Sequence, residues 1–295
     1  MSPALLLPLV GSIAAGTLAT VIQRRLAPRH AVQILTVTIV SCALAVVWAL
    51  LLLVLGWVAR FEWVAERFGW CHALTSHPHG SAVVGVTALG ALGWCLVGAA
   101  RATARHRAVR SKLPVESGIE ILPVTEPIAH AVPGRPGHIV VSTGALDLLD
   151  ESERTAMLAH EQAHLTCHHH RFVRIGDVAA GAVPFLRPMT RRLRFATERW
   201  ADEDAASVVG DRKVVARAII RIALARQQPE PAGTFAIGGV GVTERVEALL
   251  AGPPRSTVIT EITVLAASAA MLGATLASTV QLHHVLALAR HICPL

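Results

Sequence analysis

The residues with the clearest chemical signature are two histidines and a glutamate in the stretch LAHEQAHLTCHHHR, residues 158–171. His160, Glu161 and His164 form the pattern His-Glu-x-x-His. Because residues i and i+4 lie on one face of a helix, both imidazoles can reach a single zinc ion. Glu161 follows the first histidine, where its carboxylate can take a proton from a water molecule in the open metal position. The spacing therefore predicts a hydrolytic zinc site.

A catalytic zinc site needs a third protein ligand besides the two histidines. Our prediction for this ligand is Glu198 in the stretch ERWAD, and Asp202 follows it by one helical turn. Asp202 can accept the second N–H of a ligand histidine and fix its tautomer. His168 is the competing third ligand, one turn beyond His164. Three imidazoles in line on a straight helix would be strained toward one ion, which favours Glu198.

The group that stabilises the oxyanion of a hydrolysed carbonyl must be something other than a phenol, because the chain contains no tyrosine. Arg194 and Arg245 are the candidates, since a guanidinium can donate hydrogen bonds to a developing negative charge. Both can equally be structural ion-pair partners, and the sequence leaves these two alternatives open.

The elements that must position these residues have recognisable start signals. Asp150 and Glu153 match a capping box at the beginning of the helix that carries His160. Upstream, the stretch IAHAVPGRPGHIVVST predicts two short strands, residues 128–132 and 138–142, joined by a Pro/Gly turn. Two further helices are predicted across FATERWADEDAASVV and RKVVARAIIRIALAR. The apolar stretch DVAAGAVPFLRPM is compatible with a core helix or with a segment at a membrane interface.

The composition indicates a polytopic α-helical membrane protein. Of 295 residues, 53% are hydrophobic and 16% charged, yet the formal net charge is +7. Uncharged runs of about 20 residues predict four transmembrane helices, at about residues 3–23, 31–59, 80–100 and 262–282. Residues 1–100 would hold three helices, residues 101–256 an inserted α+β zinc peptidase domain, and residues 257–295 the fourth helix and a short outer tail. We expect a lipid bilayer as partner and no direct nucleic-acid binding.

Basic residues near the predicted helices indicate their orientation. Positive charge accumulates after the first and third segments, which places those loops and the peptidase domain in the cytoplasm and both termini outside; the residues are Arg24, Arg25, Arg29, Arg101, Arg105, Arg107, Arg110 and Lys112. Cys71 and Cys293 then fall on the outer side and can pair, although five cysteines without regular spacing give no disulfide framework.

The chain resembles the gluzincin membrane metallopeptidases, in particular the BlaR/MecR-type antirepressor family. The resemblance lies in the order of three features within a multispanning protein: a strand pair, then His-Glu-x-x-His, then Glu-x-x-Ala-Asp. The HtpX/CAAX-protease family shares the motif core. The resemblance covers nearly the whole chain and implies that Glu198 is the third zinc ligand, followed by Asp202. It also implies that a peptide substrate adds to the strand at residues 128–132. Arg245 in TERVEALL matches a later arginine of these families, without the His-Pro that often precedes it. BlaR-type sensors carry a penicillin-binding domain after the fourth helix, whereas this chain ends at Leu295, so β-lactam sensing is not expected.

The sequence therefore predicts a membrane-embedded endopeptidase with one zinc ion. By resemblance, its substrate would be a cytoplasmic protein such as a BlaI-like, DNA-binding transcriptional repressor, cleaved in signal transduction, or the peptidase itself. The alternative enzyme is an HtpX-like protease for quality control of membrane proteins. The alternative without catalysis is a transmembrane sensor or scaffold with a structural metal site. Glu161 argues against the last, because a structural site has no use for a general base.

Overall fold

The computed structural model describes residues 26–58, 61, 63–64, 82–110, 118–226 and 241–253, with single positions at 262, 266, 269 and 273. Within these residues the secondary structure is mainly helical and includes one small sheet. The elements are α1 (Pro28–Val58), α2 (Ala82–Arg110), β1 (Gly118–Leu122), β2 (Ala129–Val132), β3 (His138–Ser142), α3 (Thr143–Leu148), α4 (Glu151–Thr166), α5 (His169–Ala182), a 3₁₀ turn (Pro184–Leu186), α6 (Arg187–Val209), α7 (Arg212–Ala225) and α8 (Val242–Leu250).

Two of the described helices are long and apolar enough to cross a membrane, namely α1 and the Ala82–Ala108 part of α2. They correspond to the second and third predicted transmembrane segments. The first predicted segment lies outside the described residues, and so does nearly all of the fourth. Half of the apolar window of α1 is buried within the described structure, against 17% for α2. Helix α2 therefore leaves most of its apolar surface uncovered by the rest of the described chain.

The sheet has the strand order β1-β3-β2, with β1 parallel and β2 antiparallel to β3. Strand β3 is therefore central and β2 forms one edge, and all five residues of β3 are buried. Strands β2 and β3 confirm the predicted pair, with β2 beginning one residue later than expected. Strand β1 was not predicted from the sequence. Its apolar residues Ile119 and Ile121 are exposed, so its burial does not follow the inward alternation typical of a half-buried strand.

Helix α4 begins where its capping signal predicts. The Asp150 side chain accepts a hydrogen bond from the Glu153 N–H, and the Glu153 carboxylate accepts one from the Asp150 N–H. The helix ends at Thr166, and His168 then takes a left-handed conformation with φ 53°. The next helix, α5, starts directly at His169. The His-rich stretch is therefore divided between two helices, and His168 does not continue the face that carries His160.

The stretch DVAAGAVPFLRPM, left open by the sequence, forms the end of α5, the 3₁₀ turn and the start of α6. Helix α5 ends before Pro184, which lacks the N–H needed to continue it. The buried residues of this stretch belong to an apolar core shared with α1; they include Ala179, Ala180, Ala182, Val183, Leu186 and Met189. The stretch is thus mainly core, with Phe185 as its exposed apolar side chain.

Helix α6 connects the two larger cores of the described residues. Its first half packs into the core with α1 and α5, through Leu193 and Ala196. Its second half contributes Ala205 and Ala206 to a core with α4, α7 and α8. Because α6 also runs alongside α4, its middle turns face the helix that carries the two motif histidines.

Candidate metal centre

The side chains of His160, His164 and Glu198 converge where α4 and α6 meet. The Nε2 atoms of the two histidines are 3.1 Å apart. Glu198 places Oε2 at 3.5 Å from His160 Nε2 and Oε1 at 3.7 Å from His164 Nε2. Donor atoms from these three residues all lie within 4.8 Å of one another. The structure therefore brings together the three ligands that the sequence predicts.

The spacing of these donor atoms fits zinc. Ligand atoms at roughly 2.0–2.1 Å from a tetrahedral zinc ion lie about 3.3 Å apart, close to the separations observed here. The donor set of two imidazoles and one carboxylate is the one that catalytic zinc sites use, with a fourth position left for water or substrate. The side chains of His160, His164 and Glu198 are 13%, 19% and 39% exposed, so this fourth position can be reached from solvent.

Asp202 and Arg245 contact two of the three donor residues, His160 and Glu198, and hold them in place. His160 Nδ1 lies 3.0 Å from Asp202 Oδ1, so the carboxylate can hold the proton on Nδ1 and leave Nε2 free as a ligand. Arg245 donates two hydrogen bonds to Asp202, at 2.6 and 2.8 Å, and its Nη1 is 3.1 Å from Glu198 Oε2. Asp202 is buried, and Arg245 fixes both carboxylates in place.

His169 is a contact of the site that the sequence analysis did not identify. Its Nδ1 lies 3.0 Å from His164 Nδ1, and its ring packs against Trp200 at 4.7 Å between centroids. The Arg29 guanidinium, at the start of α1, lies 5.9 Å from the centre of the same Trp200 ring. His169 is buried. It therefore orients His164 much as Asp202 orients His160, and no motif pattern signals this because α5 is a separate helix.

Glu161, on α4 beside His160, extends toward strand β2 of the sheet. Its Oε2 accepts a hydrogen bond of 2.7 Å from the backbone N–H of Ala131 in β2. Ala131 is opposite Ile139 in the register, and the neighbouring backbone bond joins Ser142 N–H to Ile128 O. In an antiparallel pair such positions alternate, so the Ala131 N–H points away from β3, toward the edge of β2 on which no strand of the described residues pairs. The glutamate thus connects the metal centre to an open strand edge.

The electrostatics of the cluster favour a cation. Burial lowers the pKa of His160, but hydrogen bonds and charges from Asp202 and Glu198 outweigh it and raise the pKa to about 10. Burial and the positive His160 lower the pKa of His164 to about 4, which keeps its imidazole neutral. Burial raises the pKa of Glu198, yet His160 and Arg245 hold it well below its usual range. Burial also raises the pKa of Glu161. The carboxylates thus stabilise positive charge where zinc would bind.

The structure places the remaining candidates elsewhere. Arg194 bonds through Nη2 to both carboxylate oxygens of Asp177, at 2.6 and 2.8 Å, and lines a separate cavity. His168 is exposed in the turn between α4 and α5. The predicted pair Cys71 and Cys293 lies outside the described residues.

Comparison with known proteins shows what the part of the chain around this site is similar to. The model of the family "Peptidase family M48" matches residues 99–179, which include His160, Glu161 and His164. The chain is 40% identical over 108 residues to "Protease HtpX homolog" of Desulforapulum autotrophicum, covering 34% of each chain. It is 35% identical over 84 residues to "Protease HtpX homolog" of Aquifex aeolicus, covering 28% of each.

A third relative is "Plastoglobule-localized metallopeptidase 48, chloroplastic" of Arabidopsis thaliana, 34% identical over 112 residues, which are 34% of this chain and 33% of that protein. No solved structure gives a significant match. The alignments span about a third of the length of these curated relatives. Together they support the prediction of a zinc metalloprotease and a relationship to the peptidases of family M48. They do not confirm the finer BlaR/MecR assignment.

Proposed function

We propose that the protein is a membrane-embedded zinc endopeptidase of the HtpX kind. The observation that carries the proposal is the placement of Glu161 between a three-donor metal centre and the free edge of β2. A peptidase needs a metal position, a general base and a surface that holds an extended peptide beside both. Residues from α4, α6 and β2 bring these three parts together within one cluster of contacts.

His160, His164 and Glu198 would hold the zinc. When bound, zinc polarises a peptide carbonyl and lowers the pKa of a water molecule, which makes that water a nucleophile near neutral pH. Glu161 takes the proton of the attacking water and passes it to the leaving amine. The pKa of Glu161, raised by burial, lies closer to neutral pH and suits both halves of that transfer. Asp202 holds the His160 ring in the tautomer that presents Nε2.

The edge of β2 supports an extended peptide as the substrate. The Ala131 N–H faces the free side of the strand, where a substrate strand could accept its hydrogen bond. In the substrate-free protein, the Glu161 carboxylate accepts the hydrogen bond from this N–H. A bound peptide would therefore replace the carboxylate at Ala131 and release it toward the water that it activates. This exchange couples substrate binding to the availability of the base.

A membrane location is part of the proposal. Helix α2 exposes a series of large apolar side chains that a lipid phase would cover: Val83, Val86, Leu89, Trp94, Leu96 and Val97. The arginines that follow its apolar part favour a cytoplasmic peptidase domain with both termini outside. Reporter fusions at Arg110 and at the C-terminus should report opposite sides of the membrane. If both report the outer side, a cytoplasmic substrate is excluded.

The substrate class distinguishes two versions of the function. The resemblance to HtpX implies damaged or misassembled membrane proteins, and the matches to HtpX homologues support this version. The BlaR/MecR resemblance implies one cytoplasmic repressor. New protein N-termini, compared between cells that make the intact protein and cells that make Glu161→Gln, separate the two. Many new termini in membrane proteins support the first version, and a single cut in a DNA-binding protein supports the second.

The decisive biochemical test separates zinc binding from hydrolysis. Glu161→Gln should keep its zinc, because the side chain is not a ligand, but should lose about 10²- to 10⁴-fold in rate. Gln162→Ala, on the exposed side of the same turn, is the matched control and should keep both. Zinc content by elemental analysis and peptide cleavage by the purified full chain give the two readouts. Cleavage at the parental rate by Glu161→Gln would leave a structural metal site as the remaining explanation.

A further inference from the structure

A cavity of about 510 Å³ lies outside the metal centre, between α2, the end of α5 and the start of α6. Its lining is strongly basic. The charged and titratable residues around it are Arg105, His106, Asp177, Arg187, Arg191 and Arg194. Four guanidinium groups thus surround one carboxylate, which leaves a formal excess of three positive charges when His106 is neutral.

The single carboxylate of the lining is already engaged. Asp177 accepts hydrogen bonds from Arg194 and lies 3.0 Å from His106 Nε2. Within the residues that the structure describes, no carboxylate lies within ion-pair distance of Arg105, Arg187 or Arg191. Because like charges crowded around one space repel one another, such a lining is stabilised by an anion that enters it. The excess positive charge of the cavity is therefore not balanced by ion pairs among the described residues.

Close helix packing fixes the floor of the cavity. A Cβ atom at Gly98 would lie 1.9 Å from the carbonyl oxygen of Gly181, so α2 and α5 touch backbone to backbone. Gly181 and Ala102, which are in close contact with each other, line the cavity. Arg187, Arg191 and Arg194 follow one another at helical spacing along one side of α6 and face the end of α2. The contact between α2 and α5 thus holds Arg105 and His106 close to Asp177, the α5 carboxylate to which Arg194 of α6 also bonds.

The cavity also has a defined place along α2. Arg105 and His106 lie at the C-terminal end of the segment Ala82–Ala108 that is apolar enough to cross a membrane. The uncharged run of that helix ends before Arg101. Phe185, two residues before Arg187, is 46% exposed and gives the neighbouring 3₁₀ turn an apolar tip. An arginine-lined space beside an exposed apolar tip, at the end of a membrane helix, is the arrangement expected at the level of lipid headgroups.

We propose that this cavity binds a phosphate-bearing anion, and that its source is the headgroup of an anionic phospholipid. Guanidinium groups recognise phosphate oxygens through paired hydrogen bonds, which suits a lining of several arginines. Basic pockets between membrane helices bind anionic headgroups by this chemistry. The proposal rests on the membrane location of α2 and is independent of the zinc chemistry, since none of the three zinc-binding side chains lines the cavity.

The test measures lipid binding to the purified full chain in detergent, with individual lipid adducts resolved by native mass spectrometry. The probes are dioleoyl phosphatidylglycerol and dioleoyl phosphatidylcholine, which share their acyl chains and differ in net charge. The cavity variant is Arg187→Gln with Arg191→Gln. The matched control is Arg101→Gln with Arg107→Gln, which removes the same charge from exposed positions of α2 that do not line the cavity.

Phosphatidylglycerol should bind the parent and the control with similar affinity, and the cavity variant at least about tenfold more weakly. Phosphatidylcholine should bind all three proteins equally. Equal weakening in the two variants, or no preference for phosphatidylglycerol over phosphatidylcholine, would overturn the proposal, because general surface charge would then explain the binding. Unchanged zinc content and melting temperature establish that the variants are folded. If the glutamine pair is unstable, Arg187→Lys with Arg191→Lys keeps the charge, loses the paired hydrogen bonds, and should still weaken phosphatidylglycerol binding.

Competition with inorganic phosphate distinguishes a lipid headgroup from a soluble phosphate as the source of the anion. For a lipid headgroup site, inorganic phosphate should displace phosphatidylglycerol only at concentrations far above those of the lipid, because it lacks the acyl chains. Displacement at concentrations similar to those of the lipid would assign the cavity to a soluble phosphate and overturn the lipid source. Neither result depends on peptide cleavage, so the proposed peptidase function can fail while this site stands.

Discussion

Helix α6 carries two clusters of opposite charge along its length. Its first half presents Arg187, Arg191 and Arg194 to the cavity beside α2. Its second half presents Glu198 and Asp202 to the motif histidines of α4. Isolated helices are stabilised by acidic residues at the start and basic residues at the end, but Arg187 occupies the first turn here. Local helix stability therefore does not explain the order of charges, whereas the two proposed binding sites would.

The two halves differ in how their charges are balanced. Asp202 is 2% exposed, lies beside His160 Nδ1 and accepts two hydrogen bonds from Arg245, which is 15% exposed. In the first half, the Arg194–Asp177 pair is 46% and 23% exposed and is screened by water. A buried, mutually bonded set of charges holds ligands in a fixed geometry, whereas an exposed basic set attracts an anion with less positional precision. The comparison predicts that substitutions in the two halves have different consequences.

The largest effect is expected from His160→Ala. It removes a proposed zinc ligand and leaves Asp202 without its imidazole partner, so both bound zinc and peptide cleavage should be lost. Arg191→Gln, in the first half of α6, should leave both unchanged. Elemental analysis and a cleavage assay on the purified full chain provide the measurements. Stoichiometric zinc in the His160→Ala protein would show that the motif is not the metal site.

The next effect is that of Glu198→Gln, which tests the third ligand. An amide is a poor zinc ligand, so zinc affinity should fall by more than the 10- to 100-fold typical of residues that only support a ligand. His168→Ala should leave zinc affinity unchanged, since His168 is exposed in the turn after α4. Competition with a chelator measures both. The opposite pattern, with zinc retained in Glu198→Gln and lost in His168→Ala, would assign the third position to His168.

Asp202→Asn, in the second half of α6, and Asp177→Asn, which changes the α5 partner of Arg194 in the first half, compare the charge pairs of the two halves. Asp202→Asn breaks a buried ion pair and should cost about 3 kcal/mol of unfolding free energy, together with a roughly 10- to 100-fold loss of zinc affinity. Asp177→Asn alters an exposed pair and should cost at most about 1 kcal/mol. Chemical denaturation and chelator competition give the two quantities. Equal destabilisation by the two substitutions would remove the distinction between a buried and a screened cluster.

The smallest effect is expected from His169. His169→Ala should weaken zinc binding about tenfold, because His164 loses the ring that fixes its tautomer. His169→Gln, which keeps a polar group near His164 Nδ1, should recover part of the affinity. His168→Ala serves again as the neighbouring control. A His169→Gln protein no better than His169→Ala would indicate that the ring supports the site by packing on Trp200 and not through its hydrogen bond.

Several features followed from the sequence because they depend on residues close together along the chain. The i, i+4 spacing of His160 and His164 sets one helix face, and Asp150 with Glu153 sets the helix start. The strand pair followed from β-branched residues on either side of a Pro/Gly turn. The long uncharged runs identified α1 and α2 as membrane-helix candidates, since a bilayer has a fixed thickness.

Tertiary structure decided which distant side chains meet. Residue type alone left Arg194 and Arg245 equivalent, and only the family resemblance singled out Arg245. Folding pairs Arg194 with Asp177 and brings Arg245 across 43 positions to Asp202. It also removes His168 from the ligand face, through a left-handed residue, and buries His169 against His164. The arginine cavity forms where Gly98 lets α2 approach α5. Periodicity and capping are local preferences of the chain, whereas these contacts depend on how helices far apart in sequence pack against one another, and no local pattern encodes that.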